Sequence, residues 1–139
     1  DIPGFGLNTT RTHSGSLVRS DVTFSPYASY SADSGASKVY VNDIPGFGFN
    51  TTLTQPTDTL DGIEFSTDSS LIAYGSDEGD VYVHDIPGFG LNTTLTQASS
   101  RVRGGVSFSP DGSLIAYGSD DNNVYIHDLP GFGLNTTLT

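Results

Sequence analysis

The segment Asp-Ile-Pro-Gly-Phe-Gly-Leu/Phe-Asn-Thr-Thr occurs four times, beginning at Asp1, Asp43, Asp85 and, with Leu129 in place of Ile, Asp128, so the period is 42, 42 and then 43 residues. A chain that copies one unit at such a period folds as an array, because each copy can bury its apolar side only against its neighbours. What the array presents repeatedly is therefore where function has to be sought.

Within one period the pattern is that of short strands. Val106 to Ser109 alternates apolar and polar and runs into Pro110-Asp111-Gly112, a turn signature; Leu114 to Tyr117 comes next and ends in an acidic, Asn-rich stretch. Val124 to Ile126 alternates again, Pro130-Gly131 turns the chain, and Leu134 to Leu138 alternates once more. The preceding unit repeats the order from Ile63 through Leu71 to Tyr74 and Val81 to Val83, ending with Leu91 to Leu95. β-Branched and aromatic residues hold the apolar positions and no stretch has helical spacing, which predicts an all-β fold of four-stranded antiparallel units.

Phe108-Ser-Pro-Asp-Gly-Ser-Leu-Ile-Ala-Tyr-Gly-Ser-Asp-Asp121, together with Val124-Tyr-Ile-His-Asp128, resembles the core of a WD40 repeat, the blade of a β-propeller. The resemblance covers nearly the whole chain and is weakest in the first unit, which keeps Phe24-Ser-Pro26 but shortens and alters the stretch from Tyr27 to Asp33. It implies residues 1–12 as the outer strand of a preceding blade and blades at 13–54, 55–97 and 98–139. Two features depart from the family. Asn42, His84 and His127 stand where its Trp-Asp pair has Trp, and the Gly-His that opens a blade is missing from the later units. The buried hydrogen-bonded tetrad that those side chains form in the family is thereby put in question. Closed propellers use about four to eight blades, so three blades and a surplus strand imply an open array or part of a larger propeller or superhelix.

Composition excludes several functions. The net charge of −11 with five Lys plus Arg argues against nucleic acid or an anionic membrane surface as partner. No apolar run is long enough to span a bilayer. The absence of Cys removes disulfides and thiolate metal sites. Because the chain lacks Met and opens inside its own repeat, we expect a piece of something longer.

Two features recur in every copy. Asn8, Asn50, Asn92 and Asn135 each begin Asn-Thr-Thr, an N-glycosylation acceptor, on a strand whose alternation turns Asn away from the core. Either they carry glycans or they are polar residues that blunt an edge strand. Phe5, Phe47, Phe89 and Phe132 sit between glycines in a turn, where each ring either makes a lateral assembly contact or folds over its own blade. The remaining polar groups suggest no site. Asp77, Glu78, Asp80, Asp120 and Asp121 lack the spacing of a calcium loop, and His84 and His127 fill the Trp-like slot better than they pair as metal ligands. His13 reads as a solvated turn residue, and Tyr40, Tyr82 and Tyr125 as packing between blades. No Ser, His and Asp recur at an offset that suggests a hydrolase triad.

These observations predict a protein that is not an enzyme and needs no cofactor or metal. The expected role is structural: an extracellular or cell-surface array of WD40-like blades, N-glycosylated and joined to copies of itself or to adjacent blades in a fibre or surface layer. The alternatives are a fragment of a propeller scaffold that docks protein partners, or an engineered repeat that closes by oligomerising.

Overall fold

The computed structural model describes residues 22–46, 48–56 and 58–139. Within them the chain forms three four-stranded antiparallel sheets and no helix. The first sheet contains β1 (Val22–Phe24), β2 (Tyr30–Ser34), β3 (Val39–Asp43) and β4 (Phe49–Leu53). The second contains β5 (Leu60–Phe65), β6 (Leu71–Ser76), β7 (Val81–Asp85) and β8 (Leu91–Leu95). The third contains β9 (Val102–Phe108), β10 (Leu114–Ser119), β11 (Val124–Asp128) and β12 (Leu134–Leu138). Strands pair in chain order, so each sheet is a meander. The surplus strand expected at 1–12, with Phe5, Asn8 and His13, lies outside the described residues, as does Phe47.

The hairpin turns are set by local side-chain chemistry. Between β5 and β6 the Asp68 carboxylate accepts from the Ser66 hydroxyl (2.7 Å) and from the Ser70 backbone N–H (2.9 Å), while Ser66 Oγ accepts the Leu71 N–H. Asp111 repeats the arrangement between β9 and β10 with Ser109 and Ser113. These hydrogen bonds favour the ionised carboxylate and hold Asp111 down at about 2.

The core lies between the sheets. Ala32, Val39, Val41 and Leu53 of the first sheet pack on Leu60, Ile63, Phe65, Ile72, Tyr74 and Tyr82 of the second. One period later Ala73, Val81, Val83 and Leu95 pack on Val102, Val106, Phe108, Ile115, Tyr117 and Tyr125. Each strand thus sends alternate side chains to opposite faces, and a unit has a forward apolar face and a backward one. The inner strands run side by side, β1 against β5 and β5 against β9. At Gly62, where a bulge interrupts β5, a Cβ would overlap the backbone of Gly105, so two glycines let the strands touch. The three described sheets stand in series and are not closed into a ring.

Candidate functional site

The site with most repeated chemistry is the outer strand together with the Pro-Gly-Phe-Gly turn that leads into it. On β8, Thr93 lies opposite Val83 and Leu91 opposite His84, which leaves Asn92 as the extra residue of a bulge. Asn50 and Asn135 occupy the same place on β4 and β12. The bulge turns each Asn back along the preceding strand. Its Nδ2 donates to the carboxylate of the first residue of the repeat: Asn50 to Asp43 (2.7 Å), Asn92 to Asp85 (2.6 Å) and Asn135 to Asp128 (2.7 Å). All three pairs are exposed. Each amide nitrogen therefore faces solvent with one hydrogen clasped and the other free to be replaced.

The sequence contained the carboxylate partners but offered no reason to join them to the asparagines. The link needs the turn to bring residues seven apart together, and the turn is what the repeat keeps from copy to copy.

Under the turn lies a second recurring network. His84 is fully buried; its Nδ1 lies 3.1 Å from the Phe89 carbonyl and its Nε2 2.8 Å from the Tyr74 hydroxyl. A carbonyl only accepts, so Nδ1 carries the proton and Nε2 accepts from Tyr74. His127 repeats this with Phe132 (3.0 Å) and Tyr117 (3.3 Å). The histidine rings stack on the tyrosines at 17° and 14°. Burial pushes the His84 imidazole below its usual value, against the opposing effects of the Phe89 carbonyl and Asp85, which keeps it neutral. Burial likewise raises both tyrosine hydroxyls, so they stay protonated donors.

In the first sheet both members of the pair change together. Asn42 replaces His and Asp33 replaces Tyr, with Asn42 Nδ2 donating to Asp33 at 3.2 Å. Asn42 Oδ1 is buried without a hydrogen-bond partner. The strand register shows the joint change, since it puts Asp33, Tyr74 and Tyr117 at one position. A Tyr–His–carbonyl relay thus stands where the family's tetrad was in question.

The phenylalanine rings divide by location. Phe89 is half-buried against the core between the first and second sheets and meets Tyr30 edge-on. Phe132 is half-buried against the core between the second and third. The Phe89 ring thereby reaches the preceding sheet of its own chain. Both residues have positive φ, 54° and 55°, a conformation unfavourable for an aromatic residue, and it aims ring and carbonyl at different partners.

Tyr82 and Tyr125 are buried between sheets and donate to the acidic turns, Tyr82 to Glu78 (3.0 Å) and Tyr125 to Asp121 (2.8 Å). Arg101 and Arg103 add ion pairs to Asp77 (3.9 Å) and Asp120 (3.1 Å). These carboxylates serve turns and sheet junctions, and among the described residues no group of three His, Cys, Asp or Glu is placed to hold a metal. A crevice of about 230 Å³ lies between the turns around Asp68 and Asp111, beside Leu129 and Pro130. Both carboxylates are engaged by serines of their own turns. No helix among the described residues is long and apolar enough to cross a membrane.

Comparison with known proteins identifies residues 91–128 with the family described as WD domain, G-beta repeat. The match runs from β8 through β11, so the sequence repeat begins one strand before the sheet that contains the rest of it. A search of curated proteins found no match. Such repeats form β-propeller-like scaffolds for protein interaction and are in general not catalytic. Residues 91–128 match a WD40 repeat, and the tandem four-stranded antiparallel sheets of the described residues fit WD40-like repeats.

Proposed function

We propose that this array is a structural component of an extracellular or cell-surface assembly, a fibre or layer in which WD40-like units carry N-linked glycans on their outer strands and copies join to one another. The observation that carries the reading is the recurrence of one exposed, bulged Asn-Thr-Thr in all three described sheets, each Asn clasped to the same Asp of its turn. A protein built to dock one partner varies its surface from unit to unit, whereas a protein built for repeated presentation keeps it the same. The acidic, Lys-poor surface suits that setting. Glycans at Asn50, Asn92 and Asn135, and by repetition at Asn8, would also shield the outermost strands from edge-to-edge pairing. Material from the natural source, digested and analysed by mass spectrometry before and after enzymatic deglycosylation, should show sugar at these sequons. Bare asparagines throughout would overturn the glycan part of the reading.

A further inference from the structure

The relay beneath the turn does not stop at the tyrosine. The Tyr74 hydroxyl lies 2.8 Å from His84 Nε2 and 3.3 Å from Gln55 Oε1, and the Tyr117 hydroxyl 3.3 Å from His127 Nε2 and 3.4 Å from Gln97 Oε1. Gln55 belongs to the link between β4 and β5 and Gln97 to that between β8 and β9, so each tyrosine joins the turn of its own sheet to the link from the sheet before. Gln55 and Gln97 are the only glutamines in the chain. In the unit where Asp33 and Asn42 replace Tyr and His, the residue at the same spacing from the sequon, counted from Asn8, is His13 in place of Gln. All three positions of the relay thus change together from unit to unit.

A tyrosine hydroxyl has one hydrogen, and here it has two acceptors. While the imidazole is neutral, with its proton on Nδ1 for the Phe89 carbonyl, Nε2 takes that hydrogen and Gln55 goes without it. A proton taken from water onto Nε2 turns that nitrogen into a donor. The Tyr74 oxygen then accepts from Nε2, and its own hydrogen rotates about the Cζ–Oη bond to Gln55 Oε1. No covalent bond of the tyrosine breaks. We propose that each Tyr–His–Gln chain is a proton-operated switch, in which mild acid moves the tyrosine's hydrogen bond from the turn histidine to the link between sheets. The surroundings of His84 leave it as the group that titrates: Tyr74 faces it from β6 and is kept protonated by burial, Asp85 lies beside it on β7, and Tyr82, behind Tyr74, is turned to Glu78 and Asp80. In the third sheet the corresponding groups are Tyr117, Asp128, Tyr125 and Asp121, with Asp80 of the second sheet acting on Tyr117. Burial holds the His84 imidazole below 6.5, so the transfer belongs to mildly acidic conditions. Gln55 is exposed and His84 is not, so the chain runs from solvent to a buried ring. The inference needs neither the glycans nor the assembly.

The test is an NMR titration of the isotope-labelled full chain from about pH 8 to about pH 5, reading the His84 imidazole and the carboxamides of Gln55 and Gln97. The Gln55 carboxamide should shift with the same midpoint as His84. Gln55→Leu removes the second acceptor and should lower the proton affinity of His84 about threefold, a downward move of about half a unit in its midpoint. In Tyr74→Phe the imidazole should still titrate while Gln55 no longer follows it. Should that variant unfold early, Tyr117→Phe read at Gln97 makes the same measurement in the third sheet. A tyrosine that served packing alone would leave the Gln55 carboxamide unmoved in the wild type. That result, a His84 midpoint unchanged by Gln55→Leu, or a chain that unfolds before His84 takes up its proton would each overturn the proposal.

Discussion

The ring of Phe89 meets that of Tyr30 edge-on, with centroids 5.4 Å apart and planes at 89°, across the boundary between the first and second sheets. Aromatic pairs in this geometry contribute about 0.5–1.5 kcal/mol beyond their buried area. A double-mutant cycle with Phe89→Ala and Tyr30→Ala, read by urea unfolding, should give a coupling energy in that range. A coupling near zero would mean that Phe89 is held by its own sheet.

Beneath the same turn, the His84 relay makes stability depend on pH with a defined sign. The folded protein depresses the imidazole below its ordinary value of 6.5, so under mildly acidic conditions the unfolded chain binds the proton more readily. The stability associated with neutral His84 is complete above pH 6.5 and is lost as pH falls below that value toward the folded one. His84→Gln should flatten this part of the pH profile. Tyr74→Phe, which leaves Nε2 buried without its donor, should cost about 1–3 kcal/mol at neutral pH.

How much of this was legible in the sequence depended on whether the signal was local. Four strands per unit could be read from the alternation in Leu134 to Leu138 and its like, and the turns from Ser-Pro-Asp-Gly-Ser, because neighbouring residues decide both. Asp85 holding Asn92 and Tyr74 holding His84 were not read, since each requires a bulge or a strand register that brings separated residues together. Phe89 was ambiguous for a similar reason. A ring between two glycines has no preferred direction until the positive φ of the turn points it at Tyr30 of the preceding sheet.

Gly62 and Gly104 offer a controlled comparison, because both have positive φ, 64° and 80°, but only Gly62 faces another backbone. Gly104→Ala meets open space and should cost about 1–2 kcal/mol, the penalty of a left-handed conformation. Gly62→Ala adds an overlap with Gly105 that no side-chain rotation relieves, and should cost clearly more or prevent the second and third sheets from docking. Equal losses in chemical denaturation would show that the inner strands separate freely.

Glu64, two residues after Gly62 on β5, has opposing influences. Burial raises its carboxyl above the usual value of 4.5, against hydrogen bonds from the Ser107 side chain and the Phe108 backbone. A carboxyl raised on folding favours the native state fully below pH 4.5, and that contribution is lost as pH rises through the folded value. Glu64→Gln should therefore gain stability relative to wild type between pH 4 and 7. A Gln variant that is less stable at pH 7 would show that the charged hydrogen bonds outweigh burial.

The clasp between Asn92 and Asp85 makes the last prediction, which bears on the outer strand itself. The amide donates to Asp85 at 2.6 Å, and a sugar on Nδ2 would still leave one N–H for that bond, so glycosylation and the clasp are compatible. Converting Asn92 to Asp, the product left by enzymatic removal of a glycan, exchanges the donor for a second carboxylate against the first. Two like charges about 4 Å apart in water repel by about 1 kcal/mol, and by more at closer range. Asn92→Asp should therefore destabilise the second sheet more than Asn92→Ala at pH 7. The excess should shrink with added salt and vanish as pH falls to where one carboxyl takes up a proton. Equal melting temperatures for the two variants at pH 7 and low salt would show that the bulge, and not the hydrogen bond, holds Asn92 at the turn.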